Sequence, residues 1–294
     1  ISDNFIVWPG RQAEEVTLDA GVIFAGYGVV SPEYNRDDYQ FVDATGKIVL
    51  VLDGWPHSTG RDDLGVLGSS YYGTPQYKFT EAARQGAAGV LIINGDVEMP
   101  WAERQEESRK SIVDIRAAEK GSNDAAQAQI EGWLTQSAAA QLFALAGRNF
   151  ETESRRAIDL SFQALELEQV NLNLEMTSVI ETYASQDVLA VLPGAPSESG
   201  YVMLAGRWNR LDPDIWHEFV PQQRAKNPIR QRVETREDRE DERRDDGSGA
   251  ALVMEAARRL VAEDTRPIRS IVFMVATALE PGIIGLEHFV EHAP

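Results

Sequence analysis

Apolar residues in this chain fall mostly in short unbroken runs set between polar, glycine-rich stretches. Gly21–Val30 (GVIFAGYGVV) and Lys47–Leu52 (KIVLVL) are rich in β-branched residues and predict strands. Tyr77–Gln85 (YKFTEAARQ) sets Phe79, Ala82 and Ala83 on one helical face, and Val90–Asn94 (VLIIN) follows as a buried strand. Strand, helix and strand in that order read as a βαβ unit. Ser31–Tyr39 is a turn-rich connector, and the polar stretch Gly54–Gly73 predicts a long surface loop. Met99–Ala128 has no clear period. Thr135–Gly147 (TQSAAAQLFALAG) predicts a short helix capped by Ser137 and stopped at Gly147. Apolar and polar residues alternate over Ala157–Met176, the period of a half-buried strand or hairpin.

A change of pattern near Thr177 marks a second domain. Three segments follow from it: 1–19 as a linker or an N-terminal piece of the later domain, 20–176 as a small α/β domain, and 177–294 as a second α/β domain. In the second, Asp187–Leu192 is a strand closed by Pro193 and Gly194. Tyr201–Ala205 predicts a buried parallel strand that passes through Gly206 into Arg207, Trp208, Asn209, Arg210 and Leu211. Such a strand delivers polar side chains to the carboxyl edge of a sheet, where open α/β folds keep their sites. DDGSG at 245–249 and TALEPGIIG at 277–285 read as the other walls of that site. Ser248 is placed to cap a helix over Gly249–Ala262, whose Leu252, Val253, Ala256 and Leu260 share a face. Ser270–Val275 is a further buried strand, and Phe289 and Val290 fall on a final short helix. Val220–Arg244, dominated by Arg, Glu, Asp and Gln, reads as a solvated charged helix or mobile loop.

Composition narrows the function. The formal net charge of -19, from 47 acids and 28 bases, argues against nucleic acid and anionic membranes as partners. No apolar run approaches the roughly 20 residues of a membrane span. Cysteine is absent, which removes thiolate metal sites, disulfides and cysteine nucleophiles. The opening ISDNFIVWPG lacks the basic and apolar regions of a signal peptide. With only four histidines, any metal or acid–base site draws on His57, His217, His288, His292 or carboxylates.

Several stretches of the first domain, FAGYGVVSPEY, DDY, GKIVLVL and YKFTEAARQGAAGVLII, together with LPG at 192–194, resemble those of a known family. These are the di-zinc aminopeptidases with an inserted protease-associated domain, relatives of glutamate carboxypeptidase and the transferrin receptor. The resemblance implies a β-rich α/β protease-associated domain over 20–176. It implies part of an α/β zinc-peptidase domain with a mostly parallel central sheet over 177–294. It also implies a periplasmic or secreted setting.

The same resemblance implies an Ala-His-aromatic-Asp-His-Leu run after the strand at 201–205, in which the first His binds zinc and the Asp orients it. Here Gly206, Arg207, Trp208, Asn209, Arg210 and Leu211 stand in those places. A guanidinium has no lone pair to give a metal and stays protonated. The family's Asp-Asn-(Ala/Gly)-Ser-Gly is similar to Asp245, Asp246, Gly247, Ser248 and Gly249, so the bridging carboxylate persists as Asp245. The family's Glu-Glu pair falls on Leu279 and Glu280: the general base is replaced by leucine, and the second ligand persists as Glu280. The remaining implied ligands, an Asp and a His, lie beyond the final helix and have no counterpart before Pro294. Asp245 and Glu280 are thus vestigial ligand positions, and Arg207, Asn209, Arg210, Asp246 and Leu279 mark a degenerate site.

Other motifs carry less. His288–His292 fits the pattern H-x-x-E-H but lacks a downstream carboxylate ligand. His57 and His217 have no partners at metal spacing. Ser248 has no nearby histidine and reads as a cap, and there is no phosphate-binding loop. The expectation is a peptidase homologue without catalysis or cofactor, acting as a binding or scaffold subunit with a protein partner or in a homo-oligomer. The alternatives are a zinc aminopeptidase completed by another chain, and a module that holds a peptide in the residual cleft.

Overall fold

In a computed structural model of the chain, residues 2–56, 71–95, 99–109, 112, 127–195, 200–208, 248–277, 286, 289 and 290 are described. The chain divides into two compact units, one of residues 1–109 and 122–181, the other of 110–121 and 182–294. Among the described residues no helix is long and apolar enough to cross a membrane.

The first unit is built on a six-stranded sheet of β1 (Phe5–Pro9), β2 (Glu15–Phe24), β5 (Ile48–Leu52), β6 (Gly89–Ile93), β7 (Ile130–Leu134) and β8 (Leu165–Thr177). Its order is β1-β7-β6-β5-β2-β8. The four inner strands are parallel, and the edge strands β1 and β8 pair antiparallel. A two-residue ladder joins β3 (Val30–Ser31) to β4 (Arg36–Asp37) across a 3-10 turn at Pro32–Tyr34. Helix α1 (Pro75–Arg84) links β5 to β6, which completes the βαβ unit expected from the sequence. The other helices of this unit are α2 (Trp101–Glu107), α3 (Gln136–Leu145) and α4 (Phe150–Arg156).

The apolar runs are explained by layers on both faces of the sheet. Val22, Phe24, Ile48, Leu50, Leu91 and Ile93 pack with Ala139 and Phe143 of α3. The residues between them, Ile23, Val49, Val51, Val90 and Ile92, pack with Phe79 and Ala82 of α1. A strand covered on both sides needs apolar residues at every position, so it reads as a run rather than as alternation. The edge strand β8 has one face on the core, and there the alternation survives.

Local chemistry sets the ends of these elements. The Gly21–Val30 run is not one strand: β2 ends at Phe24, and Gly26 and Gly28 turn the chain with φ of 54° and 67°. A Cβ on Gly28 would sit 2.7 Å from Val51 Cγ1, so the turn demands glycine. The cap of α3 is Thr135, not Ser137; its hydroxyl accepts from the Ala138 amide at 3.2 Å. The alternating stretch is a single strand, β8, not a hairpin, and it pairs with β2 along most of its length.

In the second unit, β10 (Tyr201–Arg207) pairs parallel with β11 (Ser270–Ala276), and β9 (Val188–Leu192) pairs antiparallel on the other side of β11. Helix α5 (Ser248–Val261) packs on β10 and β11, with Val253 buried. The parallel pairing of β10 is as expected, but its burial is not. Tyr201 is 71% exposed and Val202 43%, while Phe273 and Met274 of the central strand are covered. Hydropathy marks side chains that favour an interior; a neighbour must still be present to make one.

Phe24 holds the first core together, with edge-to-face contacts to Phe143 at 5.1 Å and Phe162 at 5.8 Å. Truncation of a fully buried phenylalanine costs about 3–5 kcal/mol. Phe24→Ala is therefore expected to lower the unfolding free energy of the first unit by that amount, read as a fall in urea midpoint at unchanged slope. An unfolding free energy within about 1 kcal/mol of the parent would contradict this packing.

Candidate functional site

The residues singled out in the sequence converge, where they are described, at the carboxyl edge of β10 and β11. Gly206 is buried under the start of α5: a Cβ there would lie 2.5 Å from the Gly249 carbonyl oxygen and 3.0 Å from Val253 Cγ2. Gly249 is equally constrained, since its own Cβ would meet the Arg207 amide nitrogen at 3.3 Å. Two glycines thus let the helix start against the strand end, and Arg207 emerges beside Ser248 and Gly249. In the register of the sheet Arg207 stands opposite Ala276, and the Trp208 amide donates to the Ala276 carbonyl at 3.2 Å.

The next residue, Thr277, is fixed from a third direction. Its amide donates to Asp187 Oδ1 at 2.8 Å, and its hydroxyl lies 2.8 Å from Ser185 Oγ. The stretch before β9 therefore ties down the first residue of the 277–285 segment. Ser185 and Asp187 were missed in the sequence reading; the only signal was a short polar side chain placed one residue ahead of a strand. Asn209, Arg210, Asp245, Asp246, Leu279 and Glu280 lie outside the described residues, as do His57, His217, His288 and His292. Among the described residues no group of three or more His, Asp or Glu is arranged to hold a metal ion.

The densest buried charge lies in the first unit. Arg36 and Asp38 are 4% and 2% exposed and pair at 2.8 Å. Asp38 Oδ2 also accepts from the Tyr27 and Val29 amides, each at 3.1 Å. The Arg36 guanidinium donates to the Ala157 carbonyl at 2.6 Å, just past α4. Lys78 of α1, fully buried, donates to the Tyr27 carbonyl at 2.6 Å. Burial pushes the Asp38 carboxyl up from its ordinary value, opposed by Arg36, the Val29 amide and Lys78. Its charges are matched by one another and by backbone groups, which makes the cluster a positional device.

Comparison with known proteins gives one match in each half. A model of the PA domain matches residues 16–128, and a model of peptidase family M28 matches residues 242–294. Both agree with the family that the motifs resemble, and the second stretch includes Asp245, Leu279 and Glu280. No curated protein matches. Among solved structures, an aminopeptidase from Aneurinibacillus sp. strain AM-1 is 15% identical, with 98% of this chain and 52% of that one covered and a TM-score of 0.34. A peptidase M28 precursor from Shewanella amazonensis SB2B is 14% identical, with 98% and 51% covered and a TM-score of 0.32. The zinc aminopeptidase BSAP from Bacillus subtilis is 17% identical, with 95% and 46% covered and a TM-score of 0.31. The chain spans about half the length of these structures.

The tyrosines around the charged cluster make the first unit alkali-sensitive. Burial raises the phenol of Tyr27 and raises that of Tyr39 well above the ordinary 10.0. The folded state resists losing these protons while the unfolded chain gives them up near pH 10, so their contribution is complete below that pH and is lost as pH climbs beyond it. Phenolate absorbance followed alongside far-ultraviolet circular dichroism should show these phenols ionising only as the unit unfolds, and Tyr39→Phe should make the pH dependence shallower. Complete phenolate formation in a chain that keeps its folded spectrum would refute the assignment.

Proposed function

We propose that this chain, which joins a PA domain to a peptidase family M28 segment, has lost peptide hydrolysis and serves as a binding or scaffold subunit. The observation that carries the reading is Arg207. It occupies the position where the family resemblance implies a zinc-binding histidine, at the end of β10 and beside the start of α5. An arginine at that position does not fit a zinc ligand. Zinc sites favour nitrogen or sulfur donors in fixed geometry. At the three implied ligand positions within 207–280 the chain has Arg207, Asp245 and Glu280, and the first is a cation that repels a metal. Leu279 stands where a general base would take a proton from water, and a hydrocarbon side chain has no basic atom.

Arg207 instead supplies the positive charge that Asp245 and Glu280 need without a metal. Guanidinium binds carboxylate in a fork, which substitutes charge for charge. The partner is another protein chain or a second copy of this one. A second reading, an aminopeptidase completed by a partner chain, draws support from the exposed apolar positions of β9 and β10. Val188, Val191, Tyr201 and Val202 are the kind of surface that a further polypeptide layer covers.

Two measurements test the reading. Elemental mass spectrometry of the purified protein should find zinc far below one ion per chain, while one or two bound zincs would overturn it in favour of the partner-completed enzyme. Arg207→Ala should strip the carboxylates of their counter-charge. Hydrogen-exchange protection of residues 201–207 and 270–276 is expected to fall by about 1.5–3 kcal/mol, the worth of hydrogen bonds to charged groups. Unchanged protection would mean that Arg207 does not neutralise the carboxylates.

A further inference from the structure

The first unit carries an aromatic surface that neither the sheet nor the charged cluster requires. Tyr34, Trp55, Tyr71, Tyr72 and Tyr77 form one connected set of rings with centroids 4.9–6.3 Å apart. The set is rigid. The Tyr77 hydroxyl bonds both the amide and the carbonyl of Val30 at 3.0 Å, and the Tyr72 hydroxyl donates to the Glu33 carboxylate. Thr74 holds the Tyr71 carbonyl through its hydroxyl at 2.7 Å and its amide at 3.2 Å. Yet Tyr71 is 61% exposed, a large aromatic fixed in place and turned to solvent. Beside it a cleft of about 170 Å³ runs along α1, walled by Tyr71, Tyr77, Thr80 and the Glu81–Arg84 ion pair, 3.0 Å apart.

We propose that this tyrosine shelf is a docking surface for an extended peptide segment that carries lysine or arginine side chains. Three observations select that occupant. Ring faces attract cations through their quadrupoles, and among the described residues the cation–ring pairs fall on Tyr27 and Trp133, so that no described cation stacks on the exposed Tyr71. The exposed Glu33 carboxylate stands at the edge of the set, bonded to Tyr72. The net charge of -19 steers basic segments towards the chain. Thr80 adds an exposed hydroxyl for a peptide group, and aromatic rings give contact area at small entropic cost. The proposal is independent of the fate of the metal site, because every residue in it belongs to the first unit.

The test is calorimetric titration of the full chain with a synthetic peptide of alternating lysine and proline, and with the same peptide bearing glutamate for lysine. The lysine peptide should bind saturably, more weakly as salt rises, and the glutamate peptide should not bind. Tyr71→Ala, a change at an exposed position, should weaken binding about tenfold, with a smaller loss for Glu33→Gln. No binding of the lysine peptide, equal binding of both peptides, or full affinity in both variants would each overturn the proposal.

Discussion

The first unit depends on one buried ion pair. Arg36 lies in a two-residue ladder too short to hold itself and Asp38 follows it directly, yet between them they organise three neighbours. Asp38 accepts two amides from the glycine turn that ends β2, and Arg36 reaches the last carbonyls around α4. Lys78 brings α1 to the same turn. Such a pair is poor evidence of net stability, because apolar residues of equal size often do as well. Its value is directional. Each charged atom has one arrangement of backbone groups that satisfies it, so the pair fixes where the turn and two helices sit. Loss of one partner leaves the other charged in a dry interior, which costs about 3–5 kcal/mol.

That constraint explains what was and was not legible in the sequence. The strands at 48–52 and 89–93 and helix α1 were readable because layers on both faces impose apolar residues at every strand position. The stretch NRDDY read only as a polar turn, although two of its charges are core residues. Lys78 falls between Tyr77 and Phe79 on α1 and, like most lysines, reads as solvent-facing. In each case a distant backbone partner, invisible in local pattern, reverses the cost of burial. Ile130–Leu134 went unread for a related reason. IEGWL contains a charge and a glycine, and it is a strand because β1 and β6 pair with it on either side. Gly132 is required there, since a Cβ would meet the Ile6 carbonyl oxygen at 2.2 Å.

In the second unit the elements were legible and their burial was not. β9, β10, α5 and β11 lie within a residue or two of their expected bounds, and β10 and β11 pair parallel as the pattern suggested. Local sequence specifies the backbone and the side-chain preference. Burial is a property of two surfaces. The central strand β11 is covered by α5 and by its two neighbours, while β9 and β10 present valine, leucine, methionine and tyrosine outward. That exposure is costly to leave in water, at about 25 cal/mol for each Å² of apolar surface.

The edge that holds Arg207 is set by backbone contacts, and these leave the side chain at 207 open to change. Gly206 and Gly249 fix the approach of α5 to β10 through backbone contact, and Asp187 fixes Thr277 through a backbone amide. None of these contacts depends on the identity of residue 207. A histidine there would offer a lone pair to a metal; an arginine offers a permanent charge and only donors. The frame therefore does not depend on residue 207, and on the proposed reading the carboxylates of Asp245 and Glu280 call for a positive charge. A metal meets that demand with coordination that can activate water, whereas a guanidinium meets it with hydrogen bonds that cannot. On the proposed reading, a leucine at 279 and an arginine at 207 belong to the same physical change. Once no metal polarises water, a general base beside it has nothing to deprotonate, and apolar side chains become tolerable in its place.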